Sequence, residues 1–309
     1  MRIVIIDDVD LNAEDIAILK SLGGLVRFTG TPANAEQLIS RAEHADIIIS
    51  GWTSYPAGIF QKLPDLRLIS LWATGTDYVN LKEAEQAGVE VRSVPNYARN
   101  AVAELAFGLM LAVIRKIPQS HQDLRRTGSN NWQLFEGHEL AGKTLGILGT
   151  GAIGTKVARI AQGFEMKVIA YDIRENEALA KNGLLRYVGF PEVLSQSDVM
   201  TLHMPLIPQT RKIIGRRELA QMKPSAVLIN TARAELVDQG GLLNCLKNRT
   251  LAGAGLDDLD LSDPSQKGLL AMDQVIVTSH IGFFTAEAVR LKSRICVKNV
   301  LDFLGLEDA

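Results

Sequence analysis

The sequence predicts an α/β protein of two Rossmann-like, doubly wound parallel-sheet domains with a cleft between them. Three observations lead there. Short apolar runs alternate with amphipathic stretches along the whole chain, as parallel strands do when helices cover both faces of their sheet. One run, Thr144–Leu148, opens into Gly149, Gly151 and Gly154 in Gly-x-Gly-x-x-Gly spacing, followed by a helical pattern, a second apolar run and a terminal acid. The length, 309 residues, is enough for two domains of ordinary size.

Residues 1–97 read as the first domain. Its strands are expected at Ile3–Ile6, Leu25–Phe28, Asp46–Ser50, Leu68–Leu71 and Glu90–Ser93, and its helices at Asn12–Leu22, Asn34–Arg41 and Leu81–Ala87. It carries no glycine fingerprint, so it is expected to supply the substrate side of the cleft. Two loops follow strands here, SGWTSYP at 50–56 and ATGTDYVN at 73–80, and ligands of such sheets lie outside the carboxyl ends of the strands. Ala98–Ile117 reads as one long apolar helix, broken at Pro118 and crossing to the second domain. Glu104 on it reads as an exposed or structural carboxylate. A polar, glycine-bearing connection, 128–142, leads into the fingerprint.

In the fingerprint each residue type has a physical task. Gly149 permits the tight strand-to-helix turn, Gly151 lets a pyrophosphate approach the backbone, and Gly154 lets the helix pack on the strand. The first turn of that helix, with Ala152 and Ile153, presents unpaired N–H groups to the phosphates. Lys167–Tyr171 is the next strand. Asp172 ends it, eighteen residues past Gly154, where a carboxylate bonds ribose hydroxyls. The same carboxylate repels a 2′-phosphate, which favours NAD over NADP. Arg174 is either an aid to that phosphate or a solvated charge. Later strands are expected at Leu185–Val188, Val199–His203, Ala226–Asn230, Gly253–Leu256 and Val275–Thr278. A last helix, from about Ala286 to Phe303, is expected to return to the first domain. The division is therefore 1–97 with 284–309 as a flavodoxin-like substrate domain, and 98–283 as the dinucleotide domain.

Composition excludes several function classes. A net charge of −2 creates no global field toward nucleic acid or an anionic membrane. No apolar run approaches the ~20 residues of a membrane span. The opening MRIVIIDDVD turns acidic too early for a signal peptide and reads as a strand, so a cytoplasmic protein is expected. Cys245 and Cys296 lie in apolar helix-like segments and read as buried free thiols, and no metal site is expected.

Three groups after the fingerprint can carry chemistry. Arg233 ends the strand of Asn230-Thr231-Ala232-Arg233, where a guanidinium can clamp a carboxylate and polarise a carbonyl, or pair with Glu235 or Asp238. His280 ends another strand, and small Gly282 leaves room beside it for a ligand, whereas His44, His121 and His138 read as structural. Asp257, Asp258, Asp260 and Asp263 form an acidic run, and a carboxylate beside a histidine keeps it protonated for acid catalysis.

Taken together, ATGTDYVN (73–80), AVAELAFGLML (101–111), ELAGKTLGILGTGAIG (139–154), LHMPLIPQT (202–210), NTARAELVD (230–238), GAGLD (253–257) and SHIG (279–282) resemble the D-isomer-specific 2-hydroxyacid dehydrogenase family. That family includes phosphoglycerate, glycerate and glyoxylate/hydroxypyruvate-type reductases, and the resemblance covers nearly the whole chain. It implies an NAD-dependent oxidoreductase that interconverts a 2-oxo acid and a D-2-hydroxy acid. By the match, Arg233 holds the substrate carboxylate, His280 exchanges the proton with the C2 oxygen, and Thr74 and Gly75 add backbone N–H groups. His203, Met204, Pro205 and Thr210 line the cofactor, with Thr231, Ala232, Asp257 and Gly282 around its nicotinamide end.

The chain departs from the pattern where the family carries a glutamate before a proline. Anchored on Pro264, the acid is Asp263, with Asp260 second and Ser262 the ungapped match. Phe283 and Phe284 also follow Gly282 where small residues are common. A non-catalytic, NAD-dependent corepressor is the alternative reading, since related chains use this fold that way. The loop 50–56 has Trp52 and Tyr55 but no Lys or Arg, and the loop 73–80 has none either. The expected substrate is therefore unphosphorylated, with Trp52 as a wall for a small or apolar C2 substituent, unless Trp52 only caps the core. Arg99 is the nearby basic exception. A homodimer is expected through the 98–117 helix and the arm at 119–140.

Overall fold

The computed structural model describes residues 1–306. They form two compact units, Met1–Ala98 with the described residues from Phe284 on, and Arg99–Phe283.

The first unit is a five-stranded sheet, β1 (Arg2–Ile5), β2 (Gly24–Arg27), β3 (Ile47–Ser50), β4 (Leu68–Leu71) and β5 (Glu90–Arg92), with α1 (Ala13–Leu22), α2 (Ala35–Arg41) and α3 (Leu81–Gln86) between strands. The order is β2-β1-β3-β4-β5, and every pair is parallel. Each helix starts where an asparagine says it should. Asn12, Asn34 and Asn80 cap α1, α2 and α3, their side chains accepting from the N–H groups of Asp15, Gln37 and Glu83. Ile3, Ile5 and Ile47 face Leu19 and the C-terminal helix residues Cys296, Val297 and Val300 on one side. Val4, Ile6, Ile48 and Ile69 face Leu38 and Phe60 on the other. That two-sided burial is why these strands read as unbroken apolar runs.

The second unit begins with α4 (Arg99–Ile114) and α5 (Ile117–Thr127). Pro118 does not end the long helix, as its sequence suggests. The break falls earlier, where Lys116 takes a left-handed φ of 51°, and Pro118 sits in the first turn of α5, where its missing N–H costs nothing. The arm beyond is thus helical to Thr127, followed by a single 3₁₀ turn at Trp132–Phe135.

Seven parallel strands follow: β6 (Thr144–Leu148), β7 (Lys167–Tyr171), β8 (Arg186–Tyr187), β9 (Val199–Leu202), β10 (Val227–Asn230), β11 (Gly253–Asp257) and β12 (Val275–Thr278). Their order is β12-β11-β10-β9-β6-β7-β8. The intervening helices are α6 (Ala152–Gly163), α7 (Glu177–Lys181), α8 (Phe190–Gln196), α9 (Arg216–Leu219), α10 (Gln239–Lys247) and α11 (Pro264–Leu270). Helix α4 packs with α6 on one face of the sheet, and Leu194, Leu219, Leu242 and Leu269 fill the other. The C-terminal helix, α12 (Ala286–Phe303), is the one already met in the first unit.

In a doubly wound sheet the crevice opens where the strand order reverses. In the second unit that point lies between β6 and β9, and in the first between β1 and β3. The fingerprint follows β6, and the loop SGWTSYP follows β3.

Candidate active site

Along the carboxyl edge of the seven-stranded sheet, the residues of interest come in spatial order. Asp172 follows β7, the glycines follow β6, and His203 follows β9. Arg233 comes after β10, Asp257 and Asp258 at the end of β11, and His280 after β12. One edge thus carries a dinucleotide side and a chemistry side.

On the dinucleotide side the glycines do what their spacing requires. Gly149 has φ 95°, and a Cβ on it would lie 2.8 Å from the carbonyl carbon and oxygen of His203. A Cβ on Gly154 would collide with the carbonyl oxygen of Gly149, so only glycine lets α6 start this close to its strand. Beside Gly151, by contrast, lies open space. Gly151 caps α6 without a side-chain acceptor, so the N–H groups of the first turn are left for a ligand. Asp172 accepts from the Thr150 N–H at 2.6 Å, the Thr150 hydroxyl at 3.0 Å and the Arg174 N–H at 3.0 Å. Partial burial alone would raise its carboxyl, but these hydrogen bonds outweigh it and hold the group below the usual range. It is a carboxylate at neutral pH, half-exposed and able to accept from ribose hydroxyls. This donor set fits NAD. Thr150 is a residue the sequence reading did not single out; it ties the glycine loop to Asp172 and, at 2.9 Å, to the Tyr187 hydroxyl.

His203 donates its backbone N–H to Leu148 and sets one ring nitrogen 2.9 Å from the Thr201 hydroxyl. Burial pushes its imidazole down to about 3, so the ring is neutral. Met204 and Pro205 follow directly, and the Thr210 hydroxyl closes their loop by donating to the Pro205 carbonyl at 2.7 Å.

On the chemistry side the strand ends are stapled by buried polar groups. Asn230, 4 % exposed, accepts from the Ala232 N–H and donates to the Arg233 carbonyl at 2.8 Å, which fixes the turn of Thr231 and Ala232 that carries the guanidinium. Asp257, 5 % exposed, accepts from the Thr278 hydroxyl at 2.6 Å, the Ile281 N–H at 2.8 Å and the Gly282 N–H at 2.7 Å. Both of its oxygens therefore hold the loop that carries His280; sequence matching groups Asp257 with the nicotinamide end, whereas its contacts here are to that loop. A Cβ on Gly282 would lie 2.6 Å from the same carboxylate, so glycine is needed there for close approach.

The acid beside the histidine is Asp258. Its Oδ2 lies 3.1 Å from His280 Nδ1. Asp257 pairs with Thr278 across β11 and β12, and the two strands leave the sheet side by side. Asp258 has φ 147° and His280 φ 55°, conformations that non-glycine residues seldom hold and that recur where function demands them. The hydrogen bond with His280 holds the Asp258 carboxyl below its ordinary range, helped by the charges of His280 and Arg233 and opposed by burial. Arg233 is thus electrostatically close to this pair, while Asp238 pairs with Arg216 at 3.6 Å. Phe283 stands edge-on to the His280 ring, with centroids 6.1 Å apart.

Asp263, the acid expected from the position of Pro264, is not brought to His280. It is the N-cap of α11, accepting from the Ser265 N–H at 2.8 Å, with its other oxygen 3.4 Å from the Gln266 amide. Asp-Pro at a helix start is a capping signal, and capping is what it does. Asp260 accepts from the N–H and hydroxyl of Ser262 and is likewise turned inward on its own loop. In the sequence Asp258 is one of four acids in a run just past an apolar strand, and nothing there singles it out from the other three.

In the first unit Asp7, fully buried after β1, accepts from the N–H groups of Gly51, Trp52 and Thr53, each at 2.8 Å, and from the Thr53 hydroxyl at 2.6 Å. It fixes the loop that presents Trp52, which is 47 % exposed. Thr74 donates its hydroxyl to the Val94 carbonyl at 2.7 Å, leaving the turn into Gly75 exposed beyond β4. A basic group absent from the loop's own sequence also lies beside Trp52. The Lys292 nitrogen is 5.4 Å from its ring centroid. Among the described residues, no group of three His, Cys, Asp or Glu side chains is arranged for a metal, and both cysteines are free, Cys296 buried and Cys245 half-buried.

Comparison with known proteins agrees with this layout. The family described as "D-isomer specific 2-hydroxyacid dehydrogenase, NAD binding domain" matches residues 107–282. The chain is 38 % identical over 285 residues to the glycerate dehydrogenase of Methylorubrum extorquens, covering 90 % of this chain and 87 % of that one. Its fold is similar to that of an acyclic imino acid reductase solved with NADPH and D-Arg, at 32 % identity and a TM-score of 0.90, covering 99 % and 97 % of the two chains. It is also similar to D-lactate dehydrogenase of Aquifex aeolicus complexed with NAD and lactic acid, at 26 % identity and a TM-score of 0.87, covering 99 % and 96 %. With the matched domain, the cradle at the strand reversal and an arginine and a histidine on the same edge, the chain belongs to the D-isomer specific 2-hydroxyacid dehydrogenase family, as an NAD-dependent enzyme of that type.

Proposed function

We propose that the enzyme reduces a small, unphosphorylated 2-oxo acid to the D-2-hydroxy acid, and catalyses the reverse reaction, with NADH preferred over NADPH. The observation that carries this reading is the His280–Asp258 pair beside Arg233 on three neighbouring strand ends. Arg233 clamps the substrate carboxylate with two hydrogen bonds and polarises the adjacent carbonyl. Backbone N–H groups of Thr74 and Gly75 bind the same carboxylate. When bound, the cofactor supplies the hydride to C2. His280 has one ring nitrogen engaged by Asp258, so the other gives its proton to the C2 oxygen in reduction and takes it back in oxidation. Asp258 stabilises the protonated ring, the role expected of Asp263 from sequence. Gly151, Ala152 and Ile153 cradle the pyrophosphate, Asp172 binds the adenosine ribose, and His203, Met204, Pro205, Thr210, Thr231, Ala232 and Gly282 line the rest of the cofactor.

The C2 substituent rests against Trp52. Neither the 50–56 nor the 73–80 loop offers a Lys or Arg for a phosphate, which supports glyoxylate, hydroxypyruvate or a short branched 2-oxo acid. The relative from Methylorubrum, a glycerate dehydrogenase, points the same way. The deciding assay follows NADH consumption over a panel of these acids, with phosphorylated hydroxypyruvate included. Turnover of hydroxypyruvate or glyoxylate well above the phosphorylated compound is expected. A clear preference for the phosphorylated acid, abolished by Arg99→Ala, defeats the substrate reading, and NADH binding without turnover of any acid defeats the reaction.

The enzyme is further proposed to be cytoplasmic and a homodimer. Among the described residues no helix is long and apolar enough to cross a membrane. Ile117, Leu124, Trp132 and Leu134 are 54, 49, 74 and 66 % exposed along α5 and the turn after it. Such a run of exposed apolar side chains suits a surface covered by a second copy. Light scattering at the mass of one 33.7 kDa chain excludes the dimer.

A further inference from the structure

The loop that follows β7, residues 172–176, is closed by a chain of hydrogen bonds that passes through another strand. Tyr187 lies on β8, the two-residue edge strand, opposite Ala170 of β7. It packs partly buried against the core cluster that holds Ala170 and Leu185. Its hydroxyl lies 2.9 Å from the Thr150 hydroxyl and accepts from the Asn176 N–H at 3.0 Å. The Thr150 hydroxyl in turn lies 3.0 Å from Asp172 Oδ2, and the Thr150 N–H lies 2.6 Å from the same oxygen. The direction of the chain is fixed at both ends. An amide N–H can only donate, and an ionised carboxylate can only accept. Thr150 has one hydroxyl proton and gives it to Asp172, so its oxygen takes the Tyr187 proton. The bonds therefore run from the Asn176 N–H through the hydroxyls of Tyr187 and Thr150 to the Asp172 carboxylate. Bonds aligned head to tail in this way polarise and strengthen one another.

Two features tie this chain to the choice of coenzyme. The first is that it ends on Oδ2 of Asp172, while Oδ1 accepts from the Arg174 N–H at 3.0 Å. The carboxylate that repels a 2′-phosphate and the arginine suited to bind one are therefore held by the same clamp. The second is that both flanks of the clamp are anchored. Asn176 begins α7, its side chain accepting from the Ala178 N–H at 3.1 Å. Thr150 is held to α6, its carbonyl accepting from the Thr155 hydroxyl at 2.9 Å. The Tyr187 hydroxyl bridges these two anchored points across the loop. We propose that Tyr187 is a positioning residue for coenzyme selectivity: through Thr150 and Asn176 its hydroxyl holds the Asp172 carboxylate and the backbone of 172–176 in the arrangement that accepts ribose hydroxyls and turns away a 2′-phosphate. The role rests on the reading that Asp172 meets the adenosine ribose. Without the hydroxyl, Thr150 loses its donor, Asn176 loses its acceptor, and Arg174 is released toward a 2′-phosphate.

The test compares Tyr187→Phe, which removes one oxygen and keeps the ring, with Thr150→Val, Thr150→Ser and Asp172→Ala, all in the full chain. Titration calorimetry gives Kd for NADH and for NADPH, and mass spectrometry follows hydrogen–deuterium exchange of the 172–178 segment in the free protein. Tyr187→Phe should weaken NADH by roughly three- to tenfold, the loss of one or two hydrogen bonds. The ratio of NADH to NADPH affinity should narrow by about the same factor, with kcat at saturating NADH little changed and exchange in 172–178 faster. Thr150→Val should act alike, Thr150→Ser should keep the parent ratio, and in an Asp172→Ala background Tyr187→Phe should move the ratio no further. Unchanged exchange in Tyr187→Phe overturns the bridge. Faster exchange with an unmoved ratio, where Asp172→Ala does move it, overturns the positioning role. So does an effect of Tyr187→Phe on the ratio that persists undiminished without Asp172. A ratio that neither Tyr187→Phe nor Asp172→Ala moves refutes the reading of Asp172, and the selectivity role of Tyr187 ends with it, the exchange data then reporting a structural bridge alone.

Discussion

Asp258→Asn is the substitution that most directly tests the proposed proton chemistry. At neutral pH Asp258 is ionised, because its hydrogen bond with His280 holds its carboxyl low. The proposed reduction needs His280 protonated, and a carboxylate at 3.1 Å favours that state. Coulomb's law puts a pair of unit charges at this separation near 1.3 kcal/mol in water and about 5 kcal/mol at an effective dielectric of 20. The side chains are 37 % and 41 % exposed, so solvent screening sets the low end, about 1 kcal/mol. One pH unit corresponds to about 1.4 kcal/mol. Asparagine keeps the shape and removes the charge, so the upper pH limb of reduction should move down by somewhat less than one unit. The lower limb of oxidation, which needs the neutral ring, should move down with it. The assay is kcat/KM for reduction and oxidation across a pH series, with Asp263→Asn in parallel. Asp263 caps α11, and asparagine caps a helix about as well, so this change should cost little stability and leave the pH limb where it is. If Asp263→Asn shifts the limb and Asp258→Asn does not, the assignment of the acid is refuted.

Three further outcomes follow from the site. His280→Ala should lower turnover by roughly a hundredfold or more, the usual loss for a general acid, with NADH affinity nearly unchanged by titration calorimetry; unaltered turnover removes His280 from the reaction. Asp257→Ala orphans the Ile281 and Gly282 N–H groups and should cost about 2–3 kcal/mol in urea unfolding while cutting kcat at least tenfold, and a fully active, equally stable variant would show that its staple does not position His280. Asp172→Ala should weaken NADH and gain relative affinity for NADPH, since the repelling carboxylate is gone. A parent enzyme that already prefers NADPH would shift the role to Arg174.

The local rules of the chain were enough for most of the architecture. Buried parallel strands must be apolar on both faces, so Leu68–Leu71 and Val275–Thr278 have the limits their sequence suggests. Asparagine caps announce three helix starts, and Gly149, Gly154 and Asp172 announce the cradle because only those residue types meet its steric and hydrogen-bonding demands. Where two local signals compete, sequence alone misleads. Pro118 reads as a stop, but a missing N–H is equally suited to a first turn, and the neighbouring Lys116 takes the break instead. Asp263 reads as a catalytic acid because it precedes a proline, and the same Asp-Pro step is a helix cap. Only tertiary structure distinguishes these, because the deciding contacts are long-range. Asp258 meets His280 from 22 residues away because β11 and β12 are neighbours in the sheet. The distance in sequence is greater still for Lys292, which reaches the back of Trp52 only because α12 returns to the first unit. A helix reading gives Lys292 no reason to be anything but a solvated charge, yet it is 1 % exposed. Its burial is decided by what the fold assembles around it, and no spacing along the chain encodes that.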